Sequence, residues 1–154
     1  MDKWSKKEAL HYLRDKTKNV KTAMLTTGQD KNGVKSRPTG TADVDNDGNI
    51  WFLTDEYSPT AKEMPVENTV SVTYSDPHNN TYLSVHGNAE LIDDKKKKKE
   101  LWNPFARAFF PNGLNDPKLT LIRIKPDNAE YWENNSRKVN HFFKKVKAAV
   151  SGAN

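Results

Sequence analysis

The sequence predicts a mainly β fold of the α+β class, a small Greek-key type barrel of about six or seven mostly antiparallel strands with short flanking helices. Three observations carry this. Apolar and polar residues alternate over short stretches that recur every 8 to 15 residues. Glycine, proline, asparagine and aspartate punctuate the intervals between them. Helical periodicity is confined to the chain ends and a few short charged stretches. The 154 residues are the length of one domain, with no internal repeat, so 1–154 reads as a single unit.

Taken in order, Ser5-Lys6-Lys7-Glu8 has capping-box spacing, and Ala9, Leu10 and Leu13 follow on one helical face, which predicts a helix over 5–16. Val20–Thr27 and Val34–Thr41 then run at period two and form a hairpin through the Asn32-Gly33 turn signal. Pro38 has no N–H to give, so the second strand lies at an edge or a bulge. Asp45-Asn46-Asp47-Gly48 turns into Ile50–Thr54, a strand apolar enough to be covered on both faces. Ser58 followed by Pro59 is an N-cap with proline in the first turn, predicting a short helix over 58–64. Thr69–Ser75 and Thr81–Asp93 are strands joined by a turn, the longer one bulged at Gly87. Asp93 and Asp94 open a helix through the lysine run to Trp102, 104–117 is irregular, and Leu119–Trp132 supplies one or two further strands. Val139, Phe142, Phe143, Val146 and Val150 lie on one stripe and predict an amphipathic C-terminal helix over about 137–150.

Composition narrows the function. Leu, Ile, Val and Phe number 30 of 154, just under the roughly 20 % below which chains tend to disorder. The 15 aromatics are grouped between turns, however, and the net charge is only +5, so the chain reads as a folded domain with a thin core. Such a domain completes its burial against a second subunit, which predicts a homo-oligomer. The absence of cysteine excludes disulfides, thiolate metal sites and a cysteine nucleophile. No apolar run approaches the ~20 residues of a membrane span and the first 25 residues lack a leader's apolar stretch, so a soluble, cytoplasmic protein is expected. Residues 43–94 hold 11 acids and one base, Lys62, so the basic excess lies at the ends and in Lys95–Lys99. Lysine runs without interleaved aromatics are the wet face of a helix, and nucleic-acid binding is the least favoured partner class.

His11, His78, His86 and His141 have no neighbours at metal-ligand spacing, and no metal is expected. Dinucleotide fingerprints, P-loops and the nucleophile elbow are missing. What remains is a set of anion-binding residues beside apolar strands: Ser36 and Arg37 next to Pro38, Thr54 at the end of a buried strand, and Ser58 capping a helix with Lys62 one turn on. An arginine fork, hydroxyls and a helix start are what a phosphate monoester requires. Taken singly, Ser58 is also an ordinary cap and Arg37 an ordinary surface cation. His86 reads as a plain strand residue.

The ordered strings SRPTGT (36–41), IWFLTDEYSP (50–59), KEMPVENTVSVTYSD (62–76), YLSVHGNAELIDD (82–94), LW (101–102) and FFPNGLNDPKLTLIRIKPDNAEYW (109–132) resemble the general stress protein 26 branch of the pyridoxamine 5'-phosphate oxidase-like, FMN-binding split-barrel family. The resemblance implies a split-barrel homodimer that binds FMN, or FAD, in two sites at the subunit interface. It assigns the flavin phosphate to Arg37 and to the Thr54, Ser58 region, with Ser36, Pro38, Thr60 and Lys62 completing the expected cofactor-binding set. It brings Tyr82 towards the ring system and matches Trp132 to a family tryptophan near the isoalloxazine. Thr60 stands where the family commonly has lysine. Arg137-Lys138-Val139-Asn140 keeps one arginine of the oxidase's terminal motif and lacks the rest, which argues against true pyridoxamine-phosphate oxidase activity. Three functions follow in order: a flavin-dependent oxidoreductase-like protein of the general stress type, a non-catalytic flavin or small-ligand carrier or sensor, and a basic nucleic-acid-binding barrel.

Overall fold

A computed structural model describes residues 5–20, 22–30, 33–58, 61–62, 69–133 and 136–140, without the side chains of 6, 28–30, 105 and 136–140. Helix α1 (Lys6–Asn19) begins on a capping box: the Glu8 N–H donates to Ser5 Oγ at 3.1 Å and the Ser5 N–H to Glu8 Oε1 at 3.2 Å. Satisfying two orphan donors this way stabilises a helix start by about 1 kcal/mol. Among the described residues seven strands follow: β1 (Thr22–Asp30), β2 (Gly33–Val44), β3 (Ile50–Asp55), β4 (Thr69–Asp76), β5 (Thr81–Ile92), β6 (Leu119–Glu133) and β7 (Ser136–Asn140), with α2 (Lys95–Leu101) between β5 and β6.

All pairings are antiparallel. The order β3-β2-β1-β4-β5-β6 closes on itself because β3 also pairs β6, giving a six-stranded barrel with β7 added to the far half of β6. Closure removes exposed edges around most of the circumference. Leu25, Val72, Val85 and Ala129 form one inward row across four strands, and Ile50, Phe52, Ile122 and Ile124 fill the interior from β3 and β6. Leu13 of α1 is buried in the same cluster.

Leu119–Glu133 forms a single 15-residue strand where the sequence allowed one or two. Its first half is apolar on both faces for a reason visible in the packing. Ile122 and Ile124 point inward, while Leu121 is covered from outside by Trp51 and Leu101, and Leu119 by Ala106 and Phe110. Asp45 pins this outer layer by accepting from the Trp51 indole N–H at 2.8 Å. Burial pushes the Asp45 carboxyl up, but donors from Trp51, Asn49 and Asp47 outweigh it and hold the group below its ordinary value.

Helix α2 starts on Asp94, which accepts from the Lys97 N–H at 3.1 Å, as the sequence predicts. The C-terminal expectation is corrected at its start. Residues 137–140 are not helical but belong to β7, because Ser136–Asn140 finds the open hydrogen-bonding side of β6 opposite Ala129–Glu133. The remainder of that predicted helix, 141–150, lies outside the described residues. Among the described residues no helix is long and apolar enough to cross a membrane.

Candidate functional site

The β2–β3 ladder is short. Val44, Asp43 and Thr41 pair Ile50, Trp51 and Phe52, and the ladder then stops. Among the described residues, 33–40 of β2 pair only β1, and Leu53–Asp55 of β3 pair only β6. Continued in register, the ladder would set Thr39 against Thr54; instead the strands part there. Pro38 lies in this parted stretch, laddered to Met24 of β1 but not to β3, so the sequence's expectation of an edge is met locally. At the fork itself Thr41 and Tyr74 share a hydrogen bond of 2.7 Å between their hydroxyl oxygens.

Arg37 pairs Leu25 and therefore shares the inward-facing side of β2, half-buried at the opening. Its Nη1 donates to Oγ1 of Thr27 at 2.8 Å, and Thr27 is 1 % exposed. A buried hydroxyl thus fixes the direction of the guanidinium. Ser36 and Pro38, one residue to either side, point outward by strand alternation, and Ser36 Oγ shares a hydrogen bond of 2.6 Å with Thr26 Oγ1.

On the other lip, Thr54 shares the inward face of Ile50 and Phe52 and is paired to Thr120. The chain turns immediately after it. Asp55 accepts from the Tyr57 N–H at 2.8 Å, and its carbonyl accepts from the Ser58 N–H at 3.0 Å. Ser58 then caps as predicted: its Oγ accepts from the Ala61 N–H at 3.2 Å and its carbonyl from the Lys62 N–H at 3.1 Å. Thr54 Oγ1 and Ser58 Oγ lie 3.5 Å apart. Lys62 is exposed one turn on, and Thr60 lies outside the described residues.

Tyr82 and Trp132 are register partners across β5 and β6, on the outer face. Tyr82 is 38 % exposed and Trp132 half-buried. The predicted residues thus fall into two sets. Arg37, Thr54 and Ser58 surround the opening where β2 leaves β3, and Tyr82 and Trp132 share the outer sheet face with Ser36 and Pro38.

Two features were not singled out from sequence. Thr27 orients Arg37, and only the β1–β2 register reveals that. His86 is in a strand, as read, but its Nδ1 lies 2.9 Å from Ser71 Oγ and its Nε2 3.4 Å from Ser84 Oγ and 3.6 Å from Glu130 Oε1. The period-two spacing of Tyr82, Ser84 and His86 was the available signal. Elsewhere, an open depression of about 460 Å³ is lined by Lys7, Glu8, His11, Tyr12 and Asp15 of α1, none of them a predicted site residue. Among the described residues no three histidine or carboxylate groups gather as metal ligands would.

A closed antiparallel barrel whose second and third strands diverge at one end is a split β-barrel. The chain belongs to the pyridoxamine 5'-phosphate oxidase-like family, matching it over residues 8–154. Among solved structures it is similar to a Clostridium acetobutylicum protein related to general stress protein 26, with a TM-score of 0.78 at 16 % identity over 92 % of this chain and 99 % of that one. It is also similar to the general stress FMN/FAD binding protein of Xanthomonas citri, with a TM-score of 0.71 at 26 % identity over 86 % of this chain and 92 % of that one. Protein bli-3 of Neurospora crassa is 25 % identical over 121 residues, 72 % of this chain. The chain spans 58 % of the length of that curated relative.

Proposed function

We propose that this chain is an FMN-binding, oxidoreductase-like protein of the general stress type that works as a homodimer, with FAD as the alternative cofactor. The observation that carries the reading is the parting of β2 from β3, with Arg37 on one lip and Thr54 and Ser58 on the other. The donor set fits a phosphorylated flavin. A half-buried arginine held by a buried threonine, two hydroxyls 3.5 Å apart and an exposed lysine suit a phosphate dianion. A paired tyrosine and tryptophan on a sheet face suit a flat, largely apolar heterocycle. The family membership and the flavin named for the Xanthomonas citri relative support the same assignment.

Bound flavin supplies hydride or single-electron transfer, chemistry that no side chain provides. The protein's contribution is to hold the phosphate at Arg37, Ser58 and Thr54, with Lys62 adding charge, while Tyr82 and Trp132 wall the ring and limit water. The two sets lie on different faces of one protomer. A second copy that lays its outer face against the opening would let one flavin use both, which is why a dimer is part of the proposal.

The test is reconstitution. Added FMN should bind with a perturbed visible spectrum, and Arg37→Ala should weaken it by about 1.5–3 kcal/mol, roughly 10- to 150-fold in Kd, through loss of a charge-assisted bond. Unchanged affinity in this variant sinks the phosphate assignment. Sedimentation should give a dimer mass at micromolar concentration; a concentration-independent monomer would remove the shared site.

A further inference from the structure

Among the described residues, the two most exposed large hydrophobic side chains are Phe109, at 79 %, and Tyr57, at 64 %. Both belong to the end of the barrel that carries the second lip of the opening. Asp55, the last residue of β3, pairs Leu119, the first of β6, and the Glu56 N–H extends that contact by donating to the Lys118 carbonyl at 2.7 Å. Tyr57 follows directly and precedes Ser58. Phe109 comes to the same end through its neighbour Phe110, which is buried in a cluster with Leu119 and Leu53.

Neither aromatic hangs on a loose loop. The Tyr57 N–H donates to Asp55 Oδ1 at 2.8 Å and the Ser58 N–H to the Asp55 carbonyl at 3.0 Å. The N–H groups of Phe109 and Phe110 both donate to the Ala106 carbonyl, at 3.0 and 2.9 Å, and the Phe110 carbonyl accepts from the Gly113 N–H at 2.9 Å. Water therefore meets two aromatic side chains on a fixed backbone, and such side chains lose little freedom when a flat partner binds.

Tyr57 is one residue, about 3.8 Å between Cα atoms, from the Ser58 assigned above to the flavin phosphate. FMN ends at that phosphate. FAD continues from it through a second phosphate to an adenosine. Lys118, exposed and joined to Glu56 through its carbonyl, adds a cation at the turn. A purine needs an aromatic surface to stack on, and this end of the barrel supplies two.

We propose that Tyr57 and Phe109 form the adenine-binding end of the flavin site, so that the chain takes FAD along its whole length and holds it more tightly than FMN. This rests on the flavin reading above and deepens it by choosing between the two cofactors. A second copy of the chain seated here would cover the same side chains but would not tell one flavin from the other. Continuity with the phosphate lip favours the nucleotide.

The experiment titrates FMN and FAD separately into the full chain, wild type, Tyr57→Ala, Tyr57→Phe and Phe109→Ala, with binding read by calorimetry. Wild type should bind FAD about 5- to 100-fold more tightly than FMN, the worth of one stacked base. Each alanine variant should lose most of that preference and leave FMN binding unchanged, while Tyr57→Phe keeps it. Phe109→Ala carries the test alone if Tyr57→Ala disturbs the Asp55 turn. A wild type that takes up neither flavin overturns both this inference and the flavin reading. FMN bound with FAD no tighter, an FAD preference that a folded alanine variant keeps intact, or equal losses for the two flavins, overturns the adenine site alone.

Discussion

Replacing Gly87 with alanine should destabilise the protein by about 3 kcal/mol, the upper end of ordinary overpacking. A Cβ there would stand 2.3 Å from the Lys125 carbonyl oxygen and 2.9 Å from both the Lys125 carbonyl carbon and Pro126 Cα. All three are backbone atoms, so no side-chain rotation relieves the clash and β5 must pull away from β6. For a chain of this size the expected fall in Tm is about 6–12 °C, read by calorimetry or by circular dichroism. Gly33→Ala is the informative comparison. Gly33 has φ +90° but nothing within 4 Å, so its cost is conformational alone, about 1–2 kcal/mol. If Gly87→Ala melts no lower than Gly33→Ala, the close approach of the two strands is wrong.

The same glycine matters to the site. The register shift falls between His86 and Gly87: His86 pairs Asn128 while Gly87 pairs Pro126, leaving Asp127 as the extra residue on β6. On one side of this bulge Val85 and Ala129 point inward together; on the other, Ala89 and Ile124 do. The bulge therefore lets an odd-numbered inward face on β6 become an even-numbered one without turning the barrel core outward. It is also where the outer strip from Tyr82 to His86 ends. A variant that loses the bulge should lose flavin binding together with stability, whereas Arg37→Ala should lose binding alone.

Several parts of this arrangement are legible in the sequence for definite physical reasons. Ser5 and Glu8 advertise a helix start, Pro38 a local strand edge and Ser58 a cap, because each is a local demand on backbone geometry that few residues meet, whereas the bulge expected in β5 at Gly87 falls on the opposite strand, with Asp127 of β6 as the extra residue. The parting of β2 from β3 is not local. It depends on where a ladder between two strands stops, and the alternation of β2 continues straight through it. The end of the chain misleads for a related reason. The spacing of Val139, Phe142 and Phe143 suits a helix, yet Ser136–Asn140 pairs the free side of β6, and strand pairing overrides local periodicity. His86 was readable only as one residue of an alternating strand, since Ser71 and Glu130 arrive from 15 and 44 positions away through register alone.

Alkaline pH should unfold this barrel through Tyr74. The side chain is 2 % exposed in the core, with Thr41 its hydroxyl partner at the fork. Burial drives the phenol well above its ordinary value, and the hydrogen bond with Thr41 only partly opposes that. The folded state thus keeps a proton that the unfolded chain releases near pH 10, so the stability Tyr74 contributes is complete below pH 10 and declines as pH rises beyond it. Each pH unit above that point removes about 1.4 kcal/mol for this one group, or about 3 kcal/mol by pH 12, a large share of a typical domain's stability. Tyr12, whose hydroxyl donates to Glu133 at 3.0 Å, is shifted in the same direction and adds to the decline. Tyr74→Phe should therefore be less stable than wild type at pH 7, where Thr41 loses its partner, yet show a shallower fall between pH 10 and 12. Urea denaturation at pH 7, 10, 11 and 12 separates the two effects. Parallel wild-type and Tyr74→Phe curves across that range would mean that the phenol ionises without unfolding the core, and that the fork at Thr41 is open to water.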